Sequence, residues 1–206
     1  MSHVAERKSG RRRVDKFAVR RAQLANSALR TLSKLGYAGT SLRDIAENSE
    51  FSHGVLHYYF RDKVDLITYC VRQYKAASVT RYDQVVAASA TAQELREQWI
   101  GAMVTTLRQD APLHRLWYDL RNQSMFAESF RADVREIDSS LERMLERIFT
   151  QYAELAGLRL AVPSCVAYAL VDGVFQHALL RHVAGDDDAI AELPGHLGLL
   201  LDRVLM

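Results

Sequence analysis

The chain has 206 residues, of which 49% are hydrophobic and 25% charged, and its formal net charge is +2. This composition is typical of a globular protein and not of a disordered one. No apolar run is long enough to span a membrane and the N-terminus is charged, so we expect no secretory signal and a cytoplasmic protein.

The charge is divided unevenly along the chain. Residues 1–63 hold 13 Lys and Arg against 6 Asp and Glu, whereas residues 64–206 hold 14 against 19. A basic head on an acidic remainder indicates that the N-terminal part binds a polyanion. Charge alone leaves open a second reading, a solvated basic tail with no partner.

The first segments of the chain are an arm and a helix. Residues 1–16 are polar and basic without apolar periodicity, which predicts a disordered basic arm. A helix is expected over 19–35, because Leu24 and Leu32 lie on one apolar stripe. Gly36 should end it, since glycine adopts the left-handed conformation without a steric penalty.

Two short helices are expected next, at 41–48 and 52–59. A capping box that begins at Ser41 opens the first, and Ser52 is placed to cap the second. Three short helices with a tight link between the last two are typical of a helix-turn-helix. We therefore assign residues 17–62 to a DNA-binding domain.

The remainder, residues 63–206, predicts a helical body. The expected helices span residues 63–88, 91–109, 112–122, 127–156, 163–183 and 189–205. Pro112 suits the first turn of a new helix and Gly157 should stop another. The expected fold is all-α, with an N-terminal helix-turn-helix domain and a C-terminal ligand-binding and dimerisation domain.

The helix at 52–59 has two faces. Leu56, Tyr59 and Phe60 recur at spacings of three and four and should anchor it on the domain core. The opposite face can approach DNA closely, with helix N-termini near phosphates and polar tips near bases. The predicted DNA contacts are Thr40, Ser41, Arg43, Ser52, His53, Gly54, Val55, His57, Tyr58 and Lys63.

Residues 22–68 resemble the DNA-binding domain of the TetR (tetracycline-repressor-like) family. The matching pattern is Gly36-Tyr37, Thr40-Ser41, Arg43-Asp44-Ile45-Ala46 and Ser52-x-Gly54-x-Leu56-x-x-Tyr59-Phe60-x-x-Lys63-x-x-Leu66. The resemblance implies a homodimer in which each protomer places one recognition helix in the major groove of operator DNA. Two positions depart from the pattern: the family usually has glycine at Glu50 and tyrosine, a frequent phosphate contact, at His57.

The body resembles the family's regulatory domain less specifically. Residues 167–176 are similar to a stretch that leads into the dimer interface, so we expect a homodimer through helices near 163–183 and 189–205. The alternative is that both helices belong to the core of one chain. The apolar residues expected at this interface on the last helix are Leu193, Leu197, Leu200, Leu201, Val204 and Leu205.

The middle helices are rich in aromatic residues and methionine, and the resemblance implies that they enclose an effector cavity. Ordinary core packing is the alternative explanation for such residues at helical spacing. The candidate effector-binding residues are Trp99, Met103, Trp117, Tyr118, Arg121, Phe126, Tyr168, Asp172, Phe175 and Gln176. Weak similarity around 113–120 and 61–63 hints at the choline-responsive branch of the family.

These features predict a ligand-responsive transcriptional regulator, a repressor that a small-molecule effector releases from its operator. An all-helical protein-interaction module without sequence-specific DNA binding is the alternative. The sequence contains no phosphate-binding loop, hydrolase motif or metal-ligand spacing. We therefore expect neither an enzyme nor a cofactor.

Overall fold

The computed structural model describes residues 2–36 and 39–206, with side chains from residue 16 onward. Within these residues the regular elements are all helical, which confirms the all-α class. They are α1 (Ser2–Leu35), α2 (Leu42–Glu47), α3 (His53–Tyr59), α4 (Lys63–Ala88), α5 (Ala92–Ser124), a short 3-10 helix (Glu128–Phe130), α6 (Arg131–Ala156), α7 (Ser164–Val183) and α8 (Asp188–Val204). The chain forms two compact units, Met1–Arg72 and Gln73–Met206, and α4 contributes to both.

Side-chain caps set the starts of the short helices in the first unit. The Ser41 hydroxyl accepts a hydrogen bond from the Asp44 backbone N–H, and the Asp44 carboxylate accepts one from the Ser41 N–H, which completes the expected capping box. The Ser52 hydroxyl accepts a bond from the N–H of Val55 at 3.4 Å and caps α3. At the end of α1, Gly36 has a φ of 74°, so the left-handed stop expected there is confirmed.

The core of the first unit is apolar, and one arginine contacts several of the residues at its edge. Ile45, Leu56 and Leu66 are fully buried, which joins α2, α3 and α4. Arg21 of α1 forms an ion pair with Asp65 at 2.7 Å and also lies over the rings of two aromatic side chains, Phe60 and Tyr69. These contacts fix α3 against α1 and α4.

α1 is longer at its N-terminus than the apolar pattern indicated. The helix was expected from residue 19 but begins at Ser2, because a polar helical segment has no hydrophobic stripe to reveal it. It therefore overlaps the basic arm expected at 1–16. The arm's side chains up to residue 15 lie outside the described part of the chain, so its part in binding DNA stays a prediction.

The second unit packs α5, α6, α7 and α8 around a buried aromatic pair. The rings of Trp99 and Phe149 meet edge to face, with centroids 5.6 Å apart, and both side chains are 1% exposed. At the far end of the unit, Arg159 and Met206 exchange two backbone hydrogen bonds of 2.9 Å. Gly157, at a φ of 66°, provides the expected stop of α6.

α5 corrects the prediction of two helices separated near Pro112. It is continuous from Ala92 to Ser124, with Pro112 inside it. A proline removes one hydrogen bond from a helix interior, at a cost of about 3 kcal/mol. Ala111 and Leu116 are buried on either side, so packing holds the helix together despite this cost.

Candidate DNA-reading surface and ligand cavity

α3 presents two different faces. Leu56 and Phe60 are at most 1% exposed and Tyr59 is half-buried, so this side anchors the helix. Val55 is half-buried at the edge. The other side is open, and its exposed residues are Ser52, His53, Gly54, His57 and Tyr58. The open side, which we call the reading face, consists of these five residues together with Val55.

The aromatic side chains of the reading face contact one another and α1. The Nε2 atoms of His53 and His57 are 3.2 Å apart, so the two imidazoles share one hydrogen bond. Tyr58 is 71% exposed and lies edge-on to Phe17 of α1, with ring centroids 6.1 Å apart. The reading face therefore offers imidazole and phenol groups that are held in place but remain open to solvent.

Gly54 leaves a gap in the middle of the reading face. A Cβ atom added at this position would meet no other heavy atom of the protein within 4 Å. The helix itself therefore has no steric need for glycine there. An approaching surface gains the space that a side chain would otherwise fill.

The other four expected DNA contacts are Thr40, Ser41, Arg43 and Lys63. Thr40 is buried, 3% exposed, and its hydroxyl donates to the Gly36 carbonyl at 2.7 Å, so it supports the end of α1 and is not on the surface. The Ser41 hydroxyl belongs to the capping box. Arg43 is exposed and pairs with Glu47 at 3.0 Å, while Lys63 is half-buried at the start of α4.

The second unit contains a cavity with a water-accessible volume of about 60 Å³ between α4, α5, α6 and α7. Six of the candidate effector residues line it: Met103, Trp117, Tyr118, Tyr168, Asp172 and Phe175. The lining residues that the sequence analysis did not single out are Lys75, Ser78, Tyr82, Thr106, His114, Leu141, Met144, Leu145 and Val171. The wall is mainly apolar and aromatic, which is typical of small-molecule sites.

The other four candidates lie elsewhere. Trp99 packs against Phe149 in the core, and Phe126, beyond the end of α5, is 84% exposed. Gln176 is half-buried on α7 and does not reach the cavity wall. Arg121 stands behind the wall, where it pairs with a lining carboxylate. Their residue types are common in ligand pockets, but none of the four belongs to the lining of this cavity.

An ion-pair network lies along one side of the cavity. Arg121 pairs with Asp172 at 2.5 Å and with Asp138 at 3.4 Å. Tyr118 donates its phenol proton to Asp172 at 3.0 Å, and Tyr168 donates to Asp138 at 2.5 Å. Burial raises the pKa of both phenols, so they remain protonated donors at neutral pH.

A buried lysine faces the same cavity. Lys75 is 4% exposed, and its Nζ lies 3.3 Å from Nδ1 of His114 and 5.4 Å from the centre of a Trp117 ring. Burial lowers the pKa of Lys75 to about 7 and holds the pKa of His114 well below its usual range. The neutral imidazole can accept a hydrogen bond from Lys75 at its Nδ1. Its buried Nε2 then has no hydrogen-bond partner among the described residues.

The sequence did contain a signal for Lys75. It lies on one helical stripe of α4 with Val71, Ser78 and Tyr82, all of which are buried. A lysine on a stripe of buried residues is an exception to the rule that lysines are exposed. The span predicted for this helix, residues 63–88, does not by itself show which of its faces is buried, so Lys75 was not among the predicted site residues.

α7 and α8 leave apolar side chains at the surface of the second unit. Leu170, Leu180 and Leu199 are 46%, 63% and 56% exposed. A groove lined partly by Leu170, Gly173 and Leu199 runs between the two helices. We call this surface, from Leu170 to Leu199 across the groove, the α7–α8 face.

The α8 residues expected at a dimer interface are instead buried within the chain. Leu193, Leu197, Leu200, Leu201, Val204 and Leu205 are each at most 8% exposed. α8 is amphipathic and packs its apolar stripe against α5 and α7, which buries these residues. Only the residues on its outer side, such as Leu199, remain available to a partner.

None of the helices in the described residues is long and apolar enough to cross a membrane. Within the same residues, no group of three or more His, Cys, Asp and Glu is arranged to hold a metal ion.

Comparison with known proteins gives matches over both units. Residues 24–70 match the family model of bacterial regulatory proteins of the tetR family. The HTH-type transcriptional regulator BetI of Burkholderia thailandensis is 26% identical over 187 residues, which covers 89% of this chain and 94% of the relative. BetI of Burkholderia mallei is 28% identical over 179 residues, which covers 85% of this chain and 89% of the relative.

Solved structures share the fold at lower identity. A TetR transcription regulator from Haloarcula marismortui superposes with a TM-score of 0.74 at 18% identity and covers 92% of this chain and all, 100%, of its own. A regulator from Saccharomonospora viridis in complex with choline also has a TM-score of 0.74, at 15% identity. The match covers 91% of this chain and 98% of that one. FadR from Bacillus subtilis in complex with stearoyl-CoA has a TM-score of 0.71 at 19% identity, and the match covers 87% of this chain and 97% of that one. Over residues 24–70 the chain is therefore similar to bacterial regulatory proteins of the tetR family, and it shares its fold with these solved structures.

Proposed function

We propose that the chain is a transcriptional repressor that binds operator DNA in the cytoplasm and is released by a small-molecule effector. The observation that supports this best is the reading face of α3. It lies within the residues that match the family model and opposes the buried anchor of Leu56 and Phe60. The named relatives are regulators, and we propose a regulator and not an enzyme.

The proposed DNA contacts divide into two kinds. The capped N-termini of α2 and α3, at Ser41 and Ser52, suit phosphate oxygens, and Arg43 and Lys63 add positive charge beside them. His53, His57 and Tyr58 can donate to base edges or phosphates, and the methyl groups of Val55 can meet a thymine methyl. Thr40 supports the end of α1 and is not proposed as a contact.

Two observations support a homodimer: the exposed apolar α7–α8 face, and the two-fold symmetry with which helix-turn-helix dimers recognise operators. Exposed leucines on two neighbouring helices form an apolar surface that a second copy of the chain can cover. A two-fold dimer would carry two reading faces, and such dimers recognise half-sites about 34 Å apart, or multiples of that spacing. We therefore propose an operator with inverted half-sites.

The cavity is the proposed effector site. α4 contributes Lys75, Ser78 and Tyr82 to its wall and, earlier along the same helix, Leu66 to the core of the first unit. An effector that binds more tightly to one setting of α4 would shift the chain toward that setting. A volume of about 60 Å³ suits a small ligand and is too little for a long acyl chain.

A gel-shift titration with the DNA upstream of the chain's own gene tests the proposal. We expect specific retention whose affinity falls steeply with salt, because phosphate contacts release counterions. Arg43→Ala should weaken retention, whereas Arg135→Ala, an exposed arginine on α6, should not. If no specific retention occurs even at low salt, the proposal is wrong and the protein-interaction module is favoured.

A further inference from the structure

Two histidines of the reading face bring their ring nitrogens together. His53 and His57 are separated by four positions on α3, so they lie one turn apart on the same side of the helix. Their Nε2 atoms are 3.2 Å apart and their ring centroids 4.4 Å apart, with an angle of 82° between the ring planes. Both side chains are exposed. The two nitrogens therefore meet at a place that solvent can reach.

The separation of these nitrogens is that of two ligands of one metal ion. Imidazole nitrogens bind Zn²⁺ at about 2.0–2.1 Å, so two of them at a tetrahedral angle are about 3.3 Å apart. The observed distance of 3.2 Å is close to that value. Two histidines four residues apart on a helix also have the spacing with which helical sites hold zinc. No metal-ligand spacing was expected from the sequence, and this pair departs from that expectation.

A metal ion would replace the hydrogen bond that joins the two rings. One Nε2 donates that bond and the other accepts it, as neutral imidazoles do. With a metal ion bound, both Nε2 atoms give their lone pairs to the ion, and the former donor ring carries its proton on Nδ1. Small rotations of the exposed rings bring both lone pairs onto the ion. The exchange changes the tautomer of one histidine and leaves the charge of both rings unchanged.

The donor atoms select the kind of ion. Imidazole suits Zn²⁺, Ni²⁺ and Cu²⁺, whereas Mg²⁺ and Ca²⁺ prefer oxygen ligands. The other members of the reading face are Ser52, Gly54, Val55 and Tyr58, and they add no formal charge that would repel a cation. Two protein ligands leave the remaining positions of the ion to water. We therefore expect an ion that binds reversibly, in contrast to the closed four-ligand sites of structural zinc.

We propose that His53 and His57 form a binding site for a divalent transition metal ion, and that the bound ion prevents α3 from reading operator DNA. Metal-bound Nε2 atoms cannot donate hydrogen bonds to base edges. The ion and its water molecules also occupy space in front of the reading face, beside the gap at Gly54. The competition rests on the proposed function, whereas the metal site does not.

Calorimetric titration of the full chain, without an affinity tag, with Zn²⁺ tests the site. The parent should bind Zn²⁺ at least about tenfold more tightly than His53→Gln or His57→Gln, because two ligands on one helix hold the ion together. His182→Gln, which removes a half-buried histidine of α7, should leave this affinity unchanged. Mg²⁺ should not compete with Zn²⁺. Both substituted positions are exposed, so the Gln variants should keep the circular dichroism of the parent.

Gel-shift titrations with and without Zn²⁺ test the competition. At a Zn²⁺ concentration ten times its measured dissociation constant, the operator affinity of the parent should fall about tenfold for each reading face that has to be free of metal. A chelator should restore it. His53→Gln keeps an amide that can donate to DNA, so its remaining operator affinity should not respond to the same Zn²⁺ concentration. His182→Gln should respond as the parent does.

Either of two results would overturn the inference. Equal Zn²⁺ affinity in the parent and in both Gln variants of the reading face would remove the metal site. Operator affinity that is unchanged or higher with Zn²⁺ bound would remove the competition. If no operator is retained even without metal, the proposed function is wrong and the competition fails with it, while the Zn²⁺ titration still decides the metal site.

Discussion

At the scale of single residues, two positions of this chain carry a residue type that is uncommon in their surroundings. Lys75 is a lysine among buried residues, and Gly54 is a glycine inside a helix. Neither is required by the fold as the structure describes it. Each exception has a free-energy cost that can be measured separately from function.

Lys75→Met should stabilise the protein at neutral pH. Between the ordinary lysine pKa of 10.5 and the folded value of about 7, the unfolded chain takes up a proton that the folded chain does not. The free energy of unfolding therefore falls as pH decreases through this window, by about 1.4 kcal/mol per pH unit, and the loss is complete below about 7. Urea unfolding at pH 7 and pH 10 should show that the advantage of the Met variant shrinks at the higher pH. A Met variant less stable than the parent at pH 7 would contradict this account.

Gly54→Ala should separate stability from DNA binding. Gly54 is the second residue of α3, so alanine should stabilise the protein there by less than the about 0.5–1 kcal/mol expected in a helix interior, and the added methyl group has free space. Operator affinity should nevertheless fall, because that space lies on the reading face. Gly101→Ala on α5 is a matched control, since its Cβ also meets nothing within 4 Å. It should raise thermal stability and leave operator affinity unchanged. Equal operator affinity in both variants would remove the reason for glycine at position 54.

At the scale of elements, the sequence predicted what local chemistry determines. Ser41 and Ser52 set helix starts through their own neighbours, and the spacing of Leu56 and Phe60 determines which side of α3 is buried. It did not predict the continuity of α5 across Pro112, because tertiary packing decides that. It also found six cavity residues but missed Lys75, since residue type alone does not say which face of a helix meets a cavity.

Pro112→Ala tests the continuity of α5. In a continuous helix the substitution restores a backbone hydrogen bond and should raise the free energy of unfolding by about 1–3 kcal/mol. At the first turn of a separate helix, proline would be favoured and the same change would be neutral or destabilising. Thermal unfolding of the two proteins distinguishes these cases, and a lower melting temperature for the Ala variant would contradict the continuous helix.

At the scale of the whole molecule, the account requires two copies of the chain. The α7–α8 face is apolar and exposed, while the remaining leucines of α8 are used inside the second unit. A charge placed on this face would oppose association without disturbing the core. We therefore expect the oligomeric state to be sensitive to a few surface positions.

Leu199→Glu combined with Leu170→Glu should convert a dimer to a monomer in sedimentation equilibrium. Burying two carboxylates per protomer against an apolar partner surface is strongly unfavourable. Leu158→Glu, at an exposed leucine beyond the end of α6, should leave the dimer intact. If the double variant stays dimeric, the interface lies elsewhere.

The central claim is that α3 reads DNA as part of a two-fold dimer, and selection of DNA fragments tests it most directly. The full chain should enrich fragments from a random pool that contain inverted half-sites, with centres about 10 base pairs apart or multiples of that distance. His57→Ala with Tyr58→Ala should lose the enrichment, and Arg135→Ala should keep it. The account is contradicted if no sequence is enriched at low salt, or if the double variant selects the same sequence as the parent.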